Sequence, residues 1–300
     1  MVPQHPFRFG VVAAQAPSAQ AWIATARRAE ELGFSTFLIP DTLGPTLAPI
    51  PALTAVAVAT RTIRVGSYVF ANDVRNPVLL ARECAALDFL SGGRFELGVG
   101  AGRPGIEADY RKLGISLDSG GVRVERLAEA VTIMKRLLAG EKVNAAGRSY
   151  TVSQADVYPA PVQQPHLPIL IAATGKRLLS LAAREADIVA LGVQPNQGED
   201  VFAEKIGILR QAAGDRFERL ELNANLAAVG ESVHPWMMRQ YNLDLAQLRE
   251  IGSPSILLGT PDEMCEQLLR RRERLGISYV TCAAEMMDAM APIVGQLAGR

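Results

Sequence analysis

Short apolar, β-branched runs alternate with amphipathic segments along all 300 residues, and this alternation limits the possible folds more than any other feature. RFGVVAAQ (8–15) precedes a helix that Ser18 opens and Gly33 stops. STFLIPD (35–41) is followed by a helix over about 51–60. IRVGSYVFAN (63–72) leads to a helix at 77–90, with Pro77 in the first turn where a missing N–H costs nothing and Gly92-Gly93 at its end. RFELGVG (94–100) reads as the fourth strand, and a helix over about 122–139 carries Leu127, Val131, Met134 and Leu138 on one stripe. PILIAAT (168–174), DIVALGV (187–193), LELNANLAAVG (220–230) and ISYVTCAA (277–284) complete eight strands, with helices at 176–186, about 200–213 and 262–275.

Eight strand–helix pairs predict an α/β chain folded as a (β/α)8 TIM barrel, a single domain over 1–300. About 250 residues suffice for such a barrel. The surplus falls in two insertions, at about 140–167 after the strand-four helix and about 231–259 after strand seven. The first holds a hairpin pattern (KVNAAGRSYTV) and a proline-rich run, the second an extra helical piece over 234–251. Insertions of this kind lie over active faces as lids or partner contacts.

Charge and composition exclude several functions. Thirty-one Lys+Arg balance 31 Asp+Glu, so no long-range field draws the chain to nucleic acid or an anionic membrane. The uncharged run 42–60 carries Pro45, Pro49 and Pro51 and reads as a loop and helix rather than a membrane span. Cys84, Cys265 and Cys282 lie far apart, and with His5, His166 and His234 they offer no metal-ligand spacing. No secretory h-region opens the sequence, so the expectation is a reduced, cytoplasmic chain whose partner is a small-molecule substrate.

Barrel chemistry sits on the loops that leave the strand C-termini. After strand four, Gly100-Ala101-Gly102-Arg103-Pro104-Gly105 formally matches G-x-G-x-x-G, but no helix opens within it, so it is no dinucleotide motif. Its small residues suit either the approach of a flat ring or a plain tight turn. After strand five, Thr174-Gly175-Lys176-Arg177 places two cations in the first turn of a helix, against the macrodipole. A bound phosphate would remove that penalty; a Thr174 cap with solvated charges is the alternative. Asp41 and Thr42 end strand two, and Ser67, Tyr68 and Val69 lie at the end of strand three, where Tyr68 is either a ring contact or core. Asn223 and Asn225 alternate in strand seven and face one side, as a polar layer or as ligand contacts. No nucleophile–base set is evident, which directs the chemistry to a bound cofactor.

The stretch RTIRVGSYVFANDVRNPVLLARECAALDFLSGGRFELGVGAG (61–102) resembles the central signature of the bacterial luciferase-like monooxygenase superfamily. Within it the chain is most similar to coenzyme F420-dependent oxidoreductases; FLIPDTLG (37–44), 121–143 and 159–191 follow in family order, and the match covers roughly 8–230. The resemblance implies a barrel with a deazaflavin or flavin ring at the strand C-termini and a non-prolyl cis peptide within Ser67-Tyr68-Val69. It implies cofactor contacts at Asp41, Ser67, Tyr68, Val69, Gly100, Ala101 and Gly102, and at Thr174, Gly175, Lys176 and Arg177 near the phosphate. Asp41, Thr42 and Tyr68 would lie nearest the reacting face. The expected activity is hydride transfer between F420 and a small organic substrate. FMN-dependent oxygenation and a non-catalytic cofactor-binding barrel are the alternatives. Many F420-dependent relatives carry Asp-His after strand two where this chain has Asp41-Thr42, and threonine cannot titrate near neutral pH. Either the reaction needs no such base or another group moves protons, with His5, His166 and a group of the substrate as the stand-ins. Relatives are often dimers, so a homodimer is an open expectation.

Overall fold

A computed structural model describes residues 4–102, 105–233 and 245–300. The main sheet contains β1 (Arg8–Val12), β2 (Thr36–Ile39), β3 (Arg64–Ser67), β4 (Phe70–Ala71), β5 (Phe95–Gly100), β8 (Ile169–Ala173), β9 (Ile188–Leu191), β10 (Glu221–Asn225) and β14 (Ile277–Ala283). Its order is β3-β2-β1-β14-β10-β9-β8-β5-β4, and a β3–β5 pairing closes it. β3 and β4 are two halves of one predicted strand, so the eight predicted strands form the closed parallel sheet of a TIM barrel.

The helices follow the strands as the sequence predicts: α1 (Ala19–Glu31), α2 (Pro49–Ala59), α3 (Pro77–Ser91), α5 (Gly120–Leu138), α6 (Lys176–Glu185), α7 (Glu199–Ala213) and α9 (Pro261–Leu275). Local chemistry fixes their ends. Asn76 caps α3 by accepting from the Val78 and Leu79 N–H groups, and Gly92 stops it in the left-handed region (φ 66°). Thr260 and Glu263 close a capping box at α9. The sequence pattern places the α2 start at 51, two residues late; Pro49 at the first turn opens it. Three short helices lie outside that pattern: α4 (Glu107–Leu113), α8 (Leu245–Ile251) in the predicted 234–251 piece, and α10 (Met287–Leu297) after the last strand. The rest of that piece, with His234, lies outside the described residues, as do Arg103 and Pro104.

Both insertions have structure of their own. β6 (Val143–Ala146) and β7 (Thr151–Ala155) form the predicted antiparallel hairpin. Its tip is held by Glu129 of α5, whose carboxylate accepts from the backbone N–H groups of Arg148, Ser149 and Tyr150 at 3.0, 2.9 and 3.3 Å. Strand seven ends at Asn225, not at 230. Ala228–Val229 (β11) instead pairs with Ser232–Val233 (β12) and Ile256–Leu257 (β13) in a small separate sheet.

The chain divides into two compact units, one of residues 1–13, 24–37 and 173–300, the other of residues 14–23 and 38–172. The first is cored by residues such as Phe9, Phe37, Val189, Leu222 and Tyr279, all buried. In the second, Leu53, Val65, Phe70, Leu97, Leu127 and Met134 fill the same role.

Candidate active site

The second unit holds a main-chain irregularity at the end of strand three. β3 pairs with β5 as Val65↔Phe95 and Gly66↔Glu96, and β4 resumes as Phe70↔Val99 and Ala71↔Gly100. Ser67, Tyr68 and Val69 thus stand opposite only Leu97 and Gly98, a bulge of one residue. The Tyr68–Val69 peptide within it is cis and non-prolyl, at the place the family resemblance implies. The Ser67 hydroxyl replaces the interrupted ladder: it accepts from the Gly98 N–H at 3.0 Å and donates to the Gly98 carbonyl at 2.8 Å. A Cβ on Gly98 would lie 2.0 Å from the Ser67 carbonyl oxygen, and one on Gly100 would lie 2.8 Å from Val69 Cγ2. The glycines of β5 therefore make room for the bulge. Tyr68 and Val69 are half-buried, and the Tyr68 N–H donates to the Ile39 carbonyl at 2.8 Å.

Asp41 is committed to the same turn. Arg75 grips it with two hydrogen bonds, Nε to Oδ2 at 2.7 Å and a second guanidinium nitrogen to Oδ1 at 2.9 Å, and the Ala71 N–H donates to Oδ2 at 3.1 Å. Burial pulls the Arg75 pKa down, and the hydrogen bond and charge of Asp41 more than reverse it. Asp41 thereby fastens the end of strand two to the end of strand three. The neighbouring Thr42 hydroxyl is 2.9 Å from that of Thr46.

Beyond β5, Ala101 is buried and Gly102 has φ 95°, a conformation only glycine takes freely. A Cβ there would also meet the Arg123 guanidinium at 2.3 Å. That guanidinium donates to the Ala101 carbonyl at 2.6 Å, so the small residues of this loop seat an arginine of α5. Nearby, Tyr110 of α4 donates its hydroxyl to Asp73 Oδ2 at 2.7 Å, and Arg126 lies 3.1 Å from the same oxygen. Burial, then the bond to Asp73, pushes the Tyr110 pKa up, which keeps the phenol protonated. Lys112 donates to the Leu43 carbonyl at 3.0 Å, so α4 is tied to the loops after both β2 and β4.

In the first unit, Thr174, Gly175, Lys176 and Arg177 are all exposed at the start of α6. Gly175 is the N-cap and no side chain caps the helix, so the Thr174 cap that the sequence left open is not formed. The first-turn N–H groups keep their capacity for an anion, with Lys176 and Arg177 beside them. Lys205 of α7 donates to the Thr174 carbonyl at 2.6 Å, and partial burial holds its ammonium pKa below the ordinary value. Gly192 admits the Thr174 hydroxyl, since a Cβ there would lie 2.2 Å from it. Asn223 donates to the Tyr279 carbonyl at 3.2 Å and Asn225 accepts from the Thr281 hydroxyl at 3.0 Å, so both are bonded to β14.

The two candidate histidines precede strands. His5 lies before β1 and His166 before β8, at strand N-termini, whereas Asp41, Thr42, Tyr68 and Thr174 follow strand C-termini. Sequence reading missed Arg75, Asp73, Tyr110 and Arg123. For Asp73 and Arg75 the available signal was two opposite charges two positions apart, in NDVR (72–75), directly after an apolar strand. Among the described residues, no group of three or more His, Cys, Asp and Glu could hold a metal ion.

A luciferase-like monooxygenase family model matches residues 5–231. The chain belongs to that family, a class of oxidoreductase enzymes built on the TIM barrel. Among curated relatives it is 32% identical to an F420-dependent glucose-6-phosphate dehydrogenase of Nakamurella multipartita, over 72% of this chain and 66% of the relative. The chain spans about half to two thirds of the length of these curated relatives. Two solved structures share the fold. One is an F420-dependent secondary alcohol dehydrogenase in complex with an F420-acetone adduct (TM-score 0.80, 18% identity, 97% of this chain and 99% of the other). The other is a riboflavin lyase with modified FMN and riboflavin (TM-score 0.79, 15% identity, 98% and 92%).

Proposed function

We propose that the chain is an F420-dependent oxidoreductase acting on a small organic substrate. The observation that carries the reading is the one-residue bulge at Ser67–Val69, seated on the β5 glycines and held by Asp41 and Arg75. Similarity to F420-dependent dehydrogenases supports the choice of cofactor. Once bound, F420 would supply a hydride acceptor and donor at its C5. The half-buried Tyr68 and Val69 would support the ring, and Ser67 would hold their main chain rigid. The start of α6 fits the cofactor's anionic end: its N–H groups are uncapped, and Thr174, Gly175, Lys176 and Arg177 are open to solvent. Asp41 serves to fix the bulge, and the Thr42 hydroxyl can donate or accept a hydrogen bond without changing charge. With Thr42 in this position, the substrate's proton would exchange with water or with the substrate's own groups. Three buried free thiols, Cys84, Cys265 and Cys282, support a reducing cytoplasmic setting.

FMN-dependent oxygenation is the second reading, favoured by the match to the luciferase-like monooxygenase family. Fluorescence titration of the purified chain with oxidised F420 and with FMN separates the two. Saturable F420 binding, with isotope exchange at C5 in the presence of alcohols or sugar phosphates, supports the proposal. Tight FMN binding without F420 binding overturns it. F420 binding with no exchange from any donor would identify a carrier rather than a catalyst.

A further inference from the structure

The loops after β4 and β5 meet a cluster of charged side chains between α4 and the first turns of α5. Asp73, two residues past β4, has a side chain only 3% exposed. Its Oδ2 accepts from the Tyr110 hydroxyl at 2.7 Å and lies 3.1 Å from Arg126, which also pairs with Asp118. Arg123 donates to the Ala101 carbonyl at 2.6 Å. It reaches the Tyr110 phenol as well. Burial and Asp73 raise the phenol pKa, while the charge and side-chain hydrogen bond of Arg123 pull the other way. One hydroxyl thus stands between a carboxylate and a guanidinium.

The cluster is not paired as stability alone would have it. Asp73 Oδ1 and Arg123 Nε are closed to solvent and have no hydrogen-bond partner among the described residues. A buried acceptor and a buried donor left without partners destabilise a fold. A direct Arg123–Asp73 pair would engage both groups in a stronger, charge-assisted contact. We infer that Tyr110 is a positioning residue: its phenol holds Asp73 and Arg123 apart, and so keeps Arg123 on the Ala101 carbonyl.

The Ala101 carbonyl gives this spacing its consequence. Gly102 follows with φ 95°, and a glycine lets the Ala101–Gly102 peptide turn with little steric resistance. A Cβ at Gly102 would meet Arg123 at 2.3 Å, so the loop forgoes a side chain there to admit the guanidinium. The bond from Arg123 then sets how that peptide points. Gly100, Ala101 and Gly102 are expected cofactor contacts, so the effect on binding rests on the F420 reading. Tyr110 acts through Arg123 rather than on the ring.

Tyr110→Phe keeps the aromatic ring and removes the hydroxyl. Asp73 then draws Arg123 from Ala101, and the F420 dissociation constant in fluorescence titration should rise at least about tenfold, the weight of one hydrogen bond to a charged group. Adding Asp73→Asn removes the attraction, and Y110F/D73N should return to within about threefold of the native value. Rescue is the deciding readout, because a second substitution in a merely structural cluster compounds the damage. No weakening in Y110F, or no recovery in the double variant, overturns the inference. Arg123→Met is the control. It removes the bond to Ala101 outright, so adding D73N should restore nothing, and a restored R123M/D73N overturns the inference too. Hydrogen exchange of the cofactor-free chain reads the same loop directly. Amides around Gly100–Gly102 should exchange faster in Y110F and return to native rates in Y110F/D73N. A native chain that does not bind F420 refutes the proposed cofactor; exchange then decides the inference by itself, and unchanged rates in Y110F overturn it.

Discussion

At the scale of single residues, the candidate site is held by close packing and by one paired carboxylate and guanidinium. Gly98 is the sharpest case. A methyl group there meets a main-chain carbonyl at 2.0 Å, and neither β5 nor the bulge can yield without breaking the Ser67 bridge. Gly98→Ala should cost about 3 kcal/mol, near the upper end for overpacking. In a chain of this size that lowers Tm by about 6–12 °C; an unchanged Tm in calorimetry would refute the packing described. The Asp41–Arg75 pair is the second case. Asp41 is 10% exposed and Arg75 21%, so solvent screens the pair only in part. Asp41→Asn strands a guanidinium and should cost about 2–3 kcal/mol. Arg75→Ala should cost a similar amount, and the double variant far less than the sum, because both changes break one contact. Strict additivity in denaturant titration would show that the pair does not act as a unit.

At the scale of elements, two helix starts behave in opposite ways. The α9 capping box is complete, and hydrogen bonds from the Thr260 backbone and hydroxyl hold the Glu263 carboxyl below its ordinary pKa of 4.5. A carboxyl depressed in the folded state stabilises above its unfolded pKa and loses that contribution as pH falls through the folded value. Thr260→Ala should therefore lower Tm by a few degrees at pH 7 and by progressively less below about pH 4, as thermal melts across pH would record. The α6 start has no side-chain cap and carries cations against its dipole. Lys176→Ala should stabilise the chain without cofactor by roughly 0.3–1 kcal/mol, yet raise the cofactor dissociation constant about tenfold. If affinity does not change, α6 is not the phosphate end of the site.

At the scale of the whole molecule, a cofactor that binds only the folded chain must raise its melting temperature. F420 at a hundred times its dissociation constant adds about 2.7 kcal/mol, roughly 5–10 °C, and FMN at the same concentration should add much less. Equal shifts from both would leave the chain without the selectivity proposed. The barrel was legible in the sequence because each strand is a short apolar run and each helix is punctuated by Ser, Asn, Pro or Gly. Of the candidate site, the sequence marks residues at strand ends but none of the contacts among them. Residues 63–72 read as one strand, since a one-residue surplus opposite Leu97 and Gly98 exists only once both strands are paired. Gly100 and Gly102 read either as room for a ligand or as a plain tight turn, whereas Val69 and Arg123 take that room. Asp41 gave no sign of Arg75, which lies 34 positions away, and α4 is too short and polar for periodicity to reveal. That short helix limits how the enzyme can be re-engineered. Tyr110 and Lys112 moor it to Asp73 and to the Leu43 carbonyl, so a segment transplanted from a relative in place of 105–119 would need to bring both moorings. Transplants that omit them would loosen two rim loops at once, so recombination libraries in this region should draw whole blocks from parents that share the pair.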